Sequence, residues 1–184
     1  MASILPFDEL NRFDDGIRKR FGEEKLRKEE EEDIIDELFD LFLLAYAMGN
    51  SVTNDNLSSS YEPSLDEVMK TVDAEVAGKT WRQRVEDYFA NGGNVDDIVR
   101  IAETETHRIA NSAAISTARR AGAKKKTWVT MMDEKVRDTH SYLESVSVGI
   151  NDDFYTFDGD HAPAPGMFEL AENNVNCRCE LIFS

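Results

Sequence analysis

The sequence predicts an α+β protein in which an N-terminal helical region with long helices precedes a small α+β C-terminal domain. Apolar residues recur at helical spacing as far as Arg120, which is typical of amphipathic helices. After Gly122 the pattern changes, because residues 127–132 are of β type and residues 176–183 alternate as in a strand. The 184 residues, 41% of them hydrophobic, suffice for a core of this kind.

Residues 1–50 are predicted to form amphipathic helices. Pro6 suits the first turn of the first helix. The apolar face of that helix consists of Phe7, Leu10, Phe13 and Ile17. Gly22 is expected to interrupt it, and residues 23–48 to form one long helix that stops at Gly49-Asn50. The long helix carries an apolar face, expected to bind a partner or to pack against the first helix, that consists of Leu38, Phe39, Phe42 and Leu43.

Residues 51–63 are polar and rich in Ser and Asn, which predicts a linker. A helical region, residues 64–123, is expected to follow. Ser64 and Glu67 have the spacing of a capping box, and residues 95–120 are predicted to form one long helix that ends at Gly122. Residues 124–184, called the C-terminal module below, are predicted to form a compact α+β unit whose last strand contains the NCRC sequence.

The charge distribution limits the classes of partner. A net charge of −16 argues against a protein that coats nucleic acid, because the phosphate backbone would be repelled. Residues 106–132 contain no acid, however. Five basic residues there could contact DNA without sequence specificity, or pair with acids of the N-terminal region or of a partner: Arg119, Arg120, Lys124, Lys125 and Lys126.

The N-terminal residues and the apolar segments indicate neither export nor a membrane. No basic stretch precedes an apolar one at the N-terminus, so no secretory signal is expected. Residues 34–48 are the most apolar segment, but they number fewer than the ~20 that span a bilayer and include three acids. In a reducing cytoplasm Cys177 and Cys179 are expected to be free or metal-bound, since a bond between them would close a strained ring.

The most informative stretch is residues 101–184, where particular residue types follow one another in order. They are Thr104-Glu105-Thr106, Gly122, a W-x4-D-x3-R-x2-H pattern at Trp128, Asp133, Arg137 and His140, then Phe154, Pro163 or Pro165, and Asn176-Cys177-Arg178-Cys179. This ordered set resembles the phage Mu protein F-like minor head protein family, also called the phage head morphogenesis domain. One position departs from the family pattern, because the Gly that usually follows the His segment is absent from residues 143–145.

The resemblance implies a virion component of a tailed bacteriophage or prophage rather than an enzyme. Such proteins associate with the portal protein, the major capsid protein or both, and assist head assembly, DNA packaging or DNA delivery. The expected location is the head or portal vertex of the virion, and the host cytoplasm during assembly. The same domain type can be joined to toxin domains, but the chain ends two residues after Ile182 and is expected to lack one.

A buried polar network that locks the C-terminal module is the preferred interpretation of the motif residues. Asp133, Arg137 and His140 would share one face if residues 134–143 are helical, and a carboxylate fixes an arginine through charge-assisted hydrogen bonds. The threonines of the long helix are expected to hydrogen-bond to the module. The predicted network consists of Thr104, Glu105, Thr106, Trp128, Asp133, Arg137, His140, Asn176 and Arg178.

A second interpretation places zinc among the motif residues. Thiolates and imidazole are good zinc ligands, so His140, Cys177 and Cys179 could bind the ion, with Asp133 or His161 as the fourth ligand. The C-x-C spacing puts both side chains on one face of a strand, although structural zinc sites more often use C-x2–4-C. The alternative function is therefore a metal-dependent nuclease or hydrolase. The sequence contains no phosphate-binding loop and no recognisable nucleophile motif.

Overall fold

The computed structural model describes residues 3–21 and 27–184. Within these ranges the helices are α1 (Phe7–Phe21), α2 (Glu31–Leu57), α3 (Leu65–Val72), α4 (Trp81–Ala90), α5 (Val95–Arg120), α6 (Asp138–Ser141) and α7 (Ala171–Asn174), with a 3-10 turn at Lys28–Glu30. The strands are β1 (Lys125–Val129), β2 (Ser147–Gly149), β3 (Phe154–Tyr155), β4 (His161–Ala162) and β5 (Glu180–Phe183). All of these strands follow α5, so the predicted α+β class is confirmed.

The helical region is built around α2, which packs along α5. Leu38 and Phe42 of α2 are fully buried in this core, as is Ile109 of α5. Trp81, the first residue of α4, places its ring edge-on to that of Phe42 with the centroids 5.1 Å apart. Ile17 of α1 is fully buried in the same core, as the predicted apolar face requires. Among the described residues, no helix combines the length and the apolar character that crossing a bilayer requires.

The predicted stop of the long helix at Gly49-Asn50 is wrong, because α2 continues to Leu57. Gly49 lies inside the helix, where a Cβ atom would come within 2.2 Å of the Ala110 carbonyl oxygen of α5. The glycine therefore allows close packing of two helices instead of ending one. Residues 51–57 of the predicted linker are helical, and Ser58 (φ 51°) takes the left-handed conformation that ends α2.

The start of the predicted long helix is only partly described. The interruption at Gly22 and residues 23–26 lie outside the described residues. The 3-10 turn at Lys28–Glu30 follows, and α2 begins at Glu31.

Helix α3 begins, and helix α5 begins and ends, where local sequence signals predict, whereas α3 ends at Val72, before the predicted end near Val76. The Ser64 hydroxyl accepts a hydrogen bond from the Glu67 backbone, and the Glu67 carboxylate accepts one from the Ser64 backbone, so the predicted capping box is confirmed. Helix α5 runs from Val95 to Arg120, and Gly122 follows with a φ of 84°. These ends depend on residues a few positions apart, which explains why the sequence predicts them.

The C-terminal module contains a three-stranded antiparallel sheet with the order β2-β1-β5 and a separate β3-β4 pair, among the described strands. Strand β5 begins at Glu180, so the prediction of a strand from Asn176 is wrong, and the NCRC sequence precedes the strand. The module has its own apolar cluster around Trp128, Phe154 and Leu181. Ile115 of α5 belongs to this cluster, so the long helix contributes to both cores.

The segment after α6, where the family glycine is absent, contains a turn with a residue in the left-handed region. Ser145 has a φ of 61°, a left-handed conformation that glycine adopts without steric cost. Its backbone N–H donates to the Trp128 carbonyl oxygen at 2.9 Å, which joins the turn to β1. In this chain the left-handed position of the turn is therefore occupied by a serine.

Candidate functional site

Trp128 is the centre of the C-terminal module. It is fully buried on β1, and its ring lies edge-on to those of His140 and Phe154 with centroid distances of 5.3 and 5.2 Å. The imidazole of His140 stacks on Phe168 at 5.5 Å. The indole Nε1 has no hydrogen-bond partner among the described residues. Trp128 is therefore an aromatic core residue, and its predicted place in a polar network is wrong.

His140, Cys177 and Cys179 form a buried cluster beside this tryptophan. Helix α6 supplies the histidine, and the extended segment before β5 supplies both thiols. Each Sγ lies 3.5 Å from Nδ1 of His140, and both cysteines are free. The sequence correctly predicts that these three residues come together.

The two thiols differ in acidity. Burial raises the pKa of Cys177, but hydrogen bonds from the side chain and backbone of Cys179 and the nearby Arg137 outweigh it and leave this pKa lowered. The hydrogen bond to Cys177, and then burial, raise the pKa of Cys179. Of the pair, Cys177 is therefore the more readily ionised thiol.

The predicted helical face of Asp133, Arg137 and His140 is wrong. Only Asp138–Ser141 is helical, and Asp133 lies in the preceding turn. Asp133 accepts a hydrogen bond from Arg178 at 2.7 Å, whereas Arg137 donates to the Val175 carbonyl oxygen. Both contacts nevertheless join the segment before α6 to the segment around the NCRC sequence.

Neither predicted fourth metal ligand lies at the cluster. The carboxylate of Asp133 bonds to Arg178, and this contact holds the pKa of that carboxyl below its usual value. His161 is exposed and pairs with Asp153 through Nδ1 at 3.0 Å. Among the described residues, the side chains that lie close enough together to bind one metal ion are those of His140, Cys177 and Cys179.

Glu105 forms a buried ion-pair cluster on the other side of α5. Its fully buried carboxylate accepts hydrogen bonds from Arg84 of α4 and from Arg108, whose Nε lies 2.8 Å away. Arg108 also donates to the Val72 carbonyl oxygen at the end of α3. This cluster shares only Glu105 with the predicted network, and it fastens α3 and α4 to α5 instead of binding the C-terminal module, so the prediction for Glu105 is wrong.

His107 provides the buried hydrogen bond from α5 to the C-terminal module. Its Nε2 lies 2.7 Å from the Cys179 carbonyl oxygen, and burial lowers the pKa of its imidazole. A Cβ atom on Gly166, in the Pro/Gly loop, would lie 2.9 Å from its Nδ1, so the loop packs directly on the helix. Within the described ranges neither Thr104 nor Thr106 hydrogen-bonds to the module, contrary to prediction.

Sequence reasoning missed the polar residues that order the segment between β4 and α7. Asp160 accepts hydrogen bonds from the backbone N–H groups of His161, Glu169 and Leu170 and from the side chain of Asn173. Asn174 exchanges hydrogen bonds with the Phe168 backbone at 2.9 and 2.7 Å. The asparagine named by the prediction, Asn176, is instead exposed with a φ of 56°. Three asparagines close together in the sequence indicated a polar contact region, but their spacing alone does not tell which of them are buried.

A cleft of about 650 Å³ opens between the N-terminal segment, α5 and the NCRC segment. Its apolar wall includes Leu5 and Leu10, and its polar wall includes Arg137 and Arg178. Cys177, at 8% exposure, lies at its edge. The cleft therefore joins the first helix to the part of the chain that carries the family motif.

The family model described as Phage Mu protein F like protein matches residues 57–182, which is more than half of the chain. The chain belongs to this family. The match confirms the family predicted from the sequence and, with the relative described next, supports a phage head protein.

Two curated proteins show what this Mu F-like chain is similar to. It is 31% identical over 85 residues to Minor head protein GP7 of Bacillus phage SPP1. The matched segment covers 45% of the chain and 28% of that protein. It is 35% identical over 88 residues to NAD(+)--arginine ADP-ribosyltransferase EFV of Enterococcus faecalis. This second matched segment covers 46% of the chain and 18% of that protein. The chain thus spans less than a third of the length of either relative. No solved structure matches it.

The predicted partner-binding face of the Mu F-like chain lies mostly inside the molecule. Leu38 and Phe42 are fully buried in the core that includes the first helix, so for these two residues the predicted alternative of packing within the chain is confirmed and partner binding is wrong. Phe39 and Leu43 are partly buried and pack against the same core. An apolar helix face has the same sequence pattern whether it is covered by the chain itself or by another protein.

The basic residues at the end of α5 and directly after it divide into exposed and buried members. Arg119, Lys124 and Lys125 are exposed, and Arg120 lies near Glu67 at 3.6 Å and over the ring of Tyr61. Lys126 is fully buried on the inner face of β1, so its predicted contact with DNA is wrong. The alternation of the strand places Lys125 outside and Lys126 inside.

Lys126 should destabilise the fold below pH 8. Its Nζ lies 5.5 Å from the Phe154 ring centroid and has no hydrogen-bond partner among the described residues. Burial, then repulsion by Arg119, lower its pKa from 10.5 to about 8, although Asp153 and Asp152 oppose this. The unfolded chain therefore binds more protons between about pH 8 and 10.5, so this residue makes the free energy of unfolding rise with pH in that window.

We expect Lys126→Met to raise the free energy of unfolding at pH 7 by about 1–3 kcal/mol, because it removes the cost of burying a charge. The difference between variant and wild type should shrink from pH 8 to pH 10.5 in urea unfolding experiments. Lys125→Met, on the exposed face of the same strand, is the control and should change the free energy by less than about 0.5 kcal/mol. A Lys126→Met variant less stable than wild type at pH 7 would contradict the prediction.

Proposed function

We propose that the protein is a structural minor head protein of a tailed bacteriophage or prophage, which binds the portal protein, the major capsid protein or both. The observation that supports this most directly is the family match over residues 57–182, together with the similarity to Minor head protein GP7 of Bacillus phage SPP1. In this proposal the protein assembles into the head or portal vertex in the host cytoplasm and assists head assembly, DNA packaging or DNA delivery.

Exposed aromatic side chains on the C-terminal module are the best candidates for contacts with these partners. Tyr142 and Phe157 are each 62% exposed, and their rings lie edge-on with centroids 6.1 Å apart. Aromatic residues are enriched in protein interfaces because they bury a large apolar area with little loss of conformational entropy. This pair replaces the predicted α2 face as the proposed contact surface.

Co-expression with the cognate portal and major capsid proteins tests the proposal. We expect one of them to co-purify with the wild-type protein and the double variant Tyr142→Ser/Phe157→Ser to weaken that association. Leu65→Ser, at a residue 75% exposed on α3, is the matched control and should bind as wild type. If neither phage protein co-purifies with the folded wild-type chain, the proposed function fails. If binding persists in the double variant, the contact surface is elsewhere.

Non-specific contact with packaged DNA is a second part of the proposal. Arg119, Lys124 and Lys125 leave an exposed positive patch beside the end of α5, and such patches bind phosphates through their charge. The net charge of −16 opposes contact over the rest of the surface. The alternative role of this patch is pairing with acidic groups of a partner protein.

The alternative of a metal-dependent enzyme has the histidine and cysteine cluster as its support. His140, Cys177 and Cys179 are only 1%, 8% and 3% exposed, which gives a substrate little access to an ion held by them. Catalytic zinc sites need an open coordination position that the substrate can reach. We therefore propose a role in structure, not in catalysis, for this cluster.

A further inference from the structure

The cluster of His140, Cys177 and Cys179 has the dimensions of a zinc site. Nδ1 of the histidine lies 3.5 Å from each Sγ, and the three ligand atoms lie within 4.8 Å of one another. Zinc binds sulfur at about 2.3 Å and imidazole nitrogen at about 2.0–2.1 Å, so tetrahedral angles separate these atoms by about 3.5 Å. The nitrogen-to-sulfur distances therefore already equal those around a bound ion.

A single hydrogen bond to Nδ1 does not use both of the sulfur contacts that His140 makes. A neutral imidazole that accepts through Nδ1 offers one lone pair, yet two thiols lie at equal distance from it. A cation on that lone pair interacts with the nitrogen and both sulfurs at once. Because thiolates are the metal-binding form, two of them would also neutralise a divalent ion, which suits a buried site.

The surroundings leave room for a small fourth ligand. The three side chains line a cavity of about 10 Å³ together with neighbours that include Met131 and Asn176. A volume of this size holds about one water molecule. Arg137 and Arg178 also line the cavity.

We propose that His140, Cys177 and Cys179 bind one zinc ion, with a water molecule as the fourth ligand. The ion joins α6 to the segment before β5, 37 and 39 residues further along the chain. It closes the small core around Trp128 and contributes to the folding free energy of the C-terminal module, because its ligands come together only in the folded chain. This inference does not depend on the proposed function.

Metal analysis of the full chain, expressed in zinc-supplemented medium and purified with a reducing agent, tests the proposal. We expect one zinc ion per wild-type chain by mass spectrometry of the elements, and loss of the ion in Cys177→Ser and His140→Ala. Cobalt added to the metal-free wild type should give thiolate-to-cobalt charge-transfer absorption. Removing zinc with a chelator should lower the melting temperature of the wild type and leave that of Cys177→Ser unchanged.

His161→Ala is the matched control, because it removes an exposed histidine that pairs with Asp153. It should retain zinc, and loss of zinc in this variant would overturn the ligand set. A folded wild-type chain with two free thiols that holds no zinc and gives no cobalt absorption would overturn the site itself, however the variants fold. Full zinc content in Cys177→Ser would do the same.

Discussion

Replacing Glu105 with glutamine is expected to lower the free energy of unfolding by about 3–5 kcal/mol, because it leaves a buried arginine without its counter-ion. Arg108 is 5% exposed, and both it and Arg84 donate to this one carboxylate. The loss should also loosen α4, since Arg84 is its ionic link to α5 in the described structure. Urea unfolding at pH 7, followed by circular dichroism, measures the change.

Glu86→Gln is the control for this experiment. Glu86 is exposed on α4, so its neutralisation should change the free energy of unfolding by less than about 0.5 kcal/mol. If Glu105→Gln unfolds at the same urea concentration as Glu86→Gln, the buried ion pairs do not stabilise the helical region.

Gly49→Ala is expected to lower the free energy of unfolding by at least about 2 kcal/mol, although alanine favours a helix by about 1 kcal/mol. The added methyl group would lie 2.2 Å from the Ala110 carbonyl oxygen and 3.1 Å from the Ala113 Cβ. These are backbone and short side-chain atoms, so α2 and α5 must move apart. Thermal or urea unfolding of the variant measures the effect.

Gly16→Ala provides a matched control on α1. Nothing lies within 4 Å of its added Cβ, so alanine should stabilise the protein by about 0.5–1 kcal/mol through helix propensity alone. A Gly49→Ala variant that is also stabilised would show that α2 and α5 are not packed as closely as described.

The parts of the fold that the sequence predicts depend on residues close together in the chain. Ser64 and Glu67 form the expected capping box, and Gly122 follows the end of α5. The same local reasoning fails at Gly49, because its role depends on Ala110, some sixty residues later. The sequence alone does not distinguish a glycine that ends a helix from one that allows a neighbouring helix to pack closely.

At the candidate site, the sequence indicates which residue types come together but not which of two similar residues becomes the partner. The chemistry of His140 and the two cysteines was enough to predict that they come together. The partner of Asp133 was not predictable, since Arg137 and Arg178 are both arginines and only tertiary structure chooses between them. Lys126 was misread because its charge suggested a surface, whereas the strand alternation puts it inside.

Helix α5 has a consequence for how this domain is passed between proteins. Ile115 closes the apolar cluster of the C-terminal module, and His107 bonds to the Cys179 carbonyl oxygen. A fusion protein that contained only residues 124–184 would have the sheet of the C-terminal module without the helix that packs on it. A segment that keeps this module covered must therefore include α5 and the short helices α3 and α4 that are bonded to it. The family match, which starts at residue 57, includes all three helices.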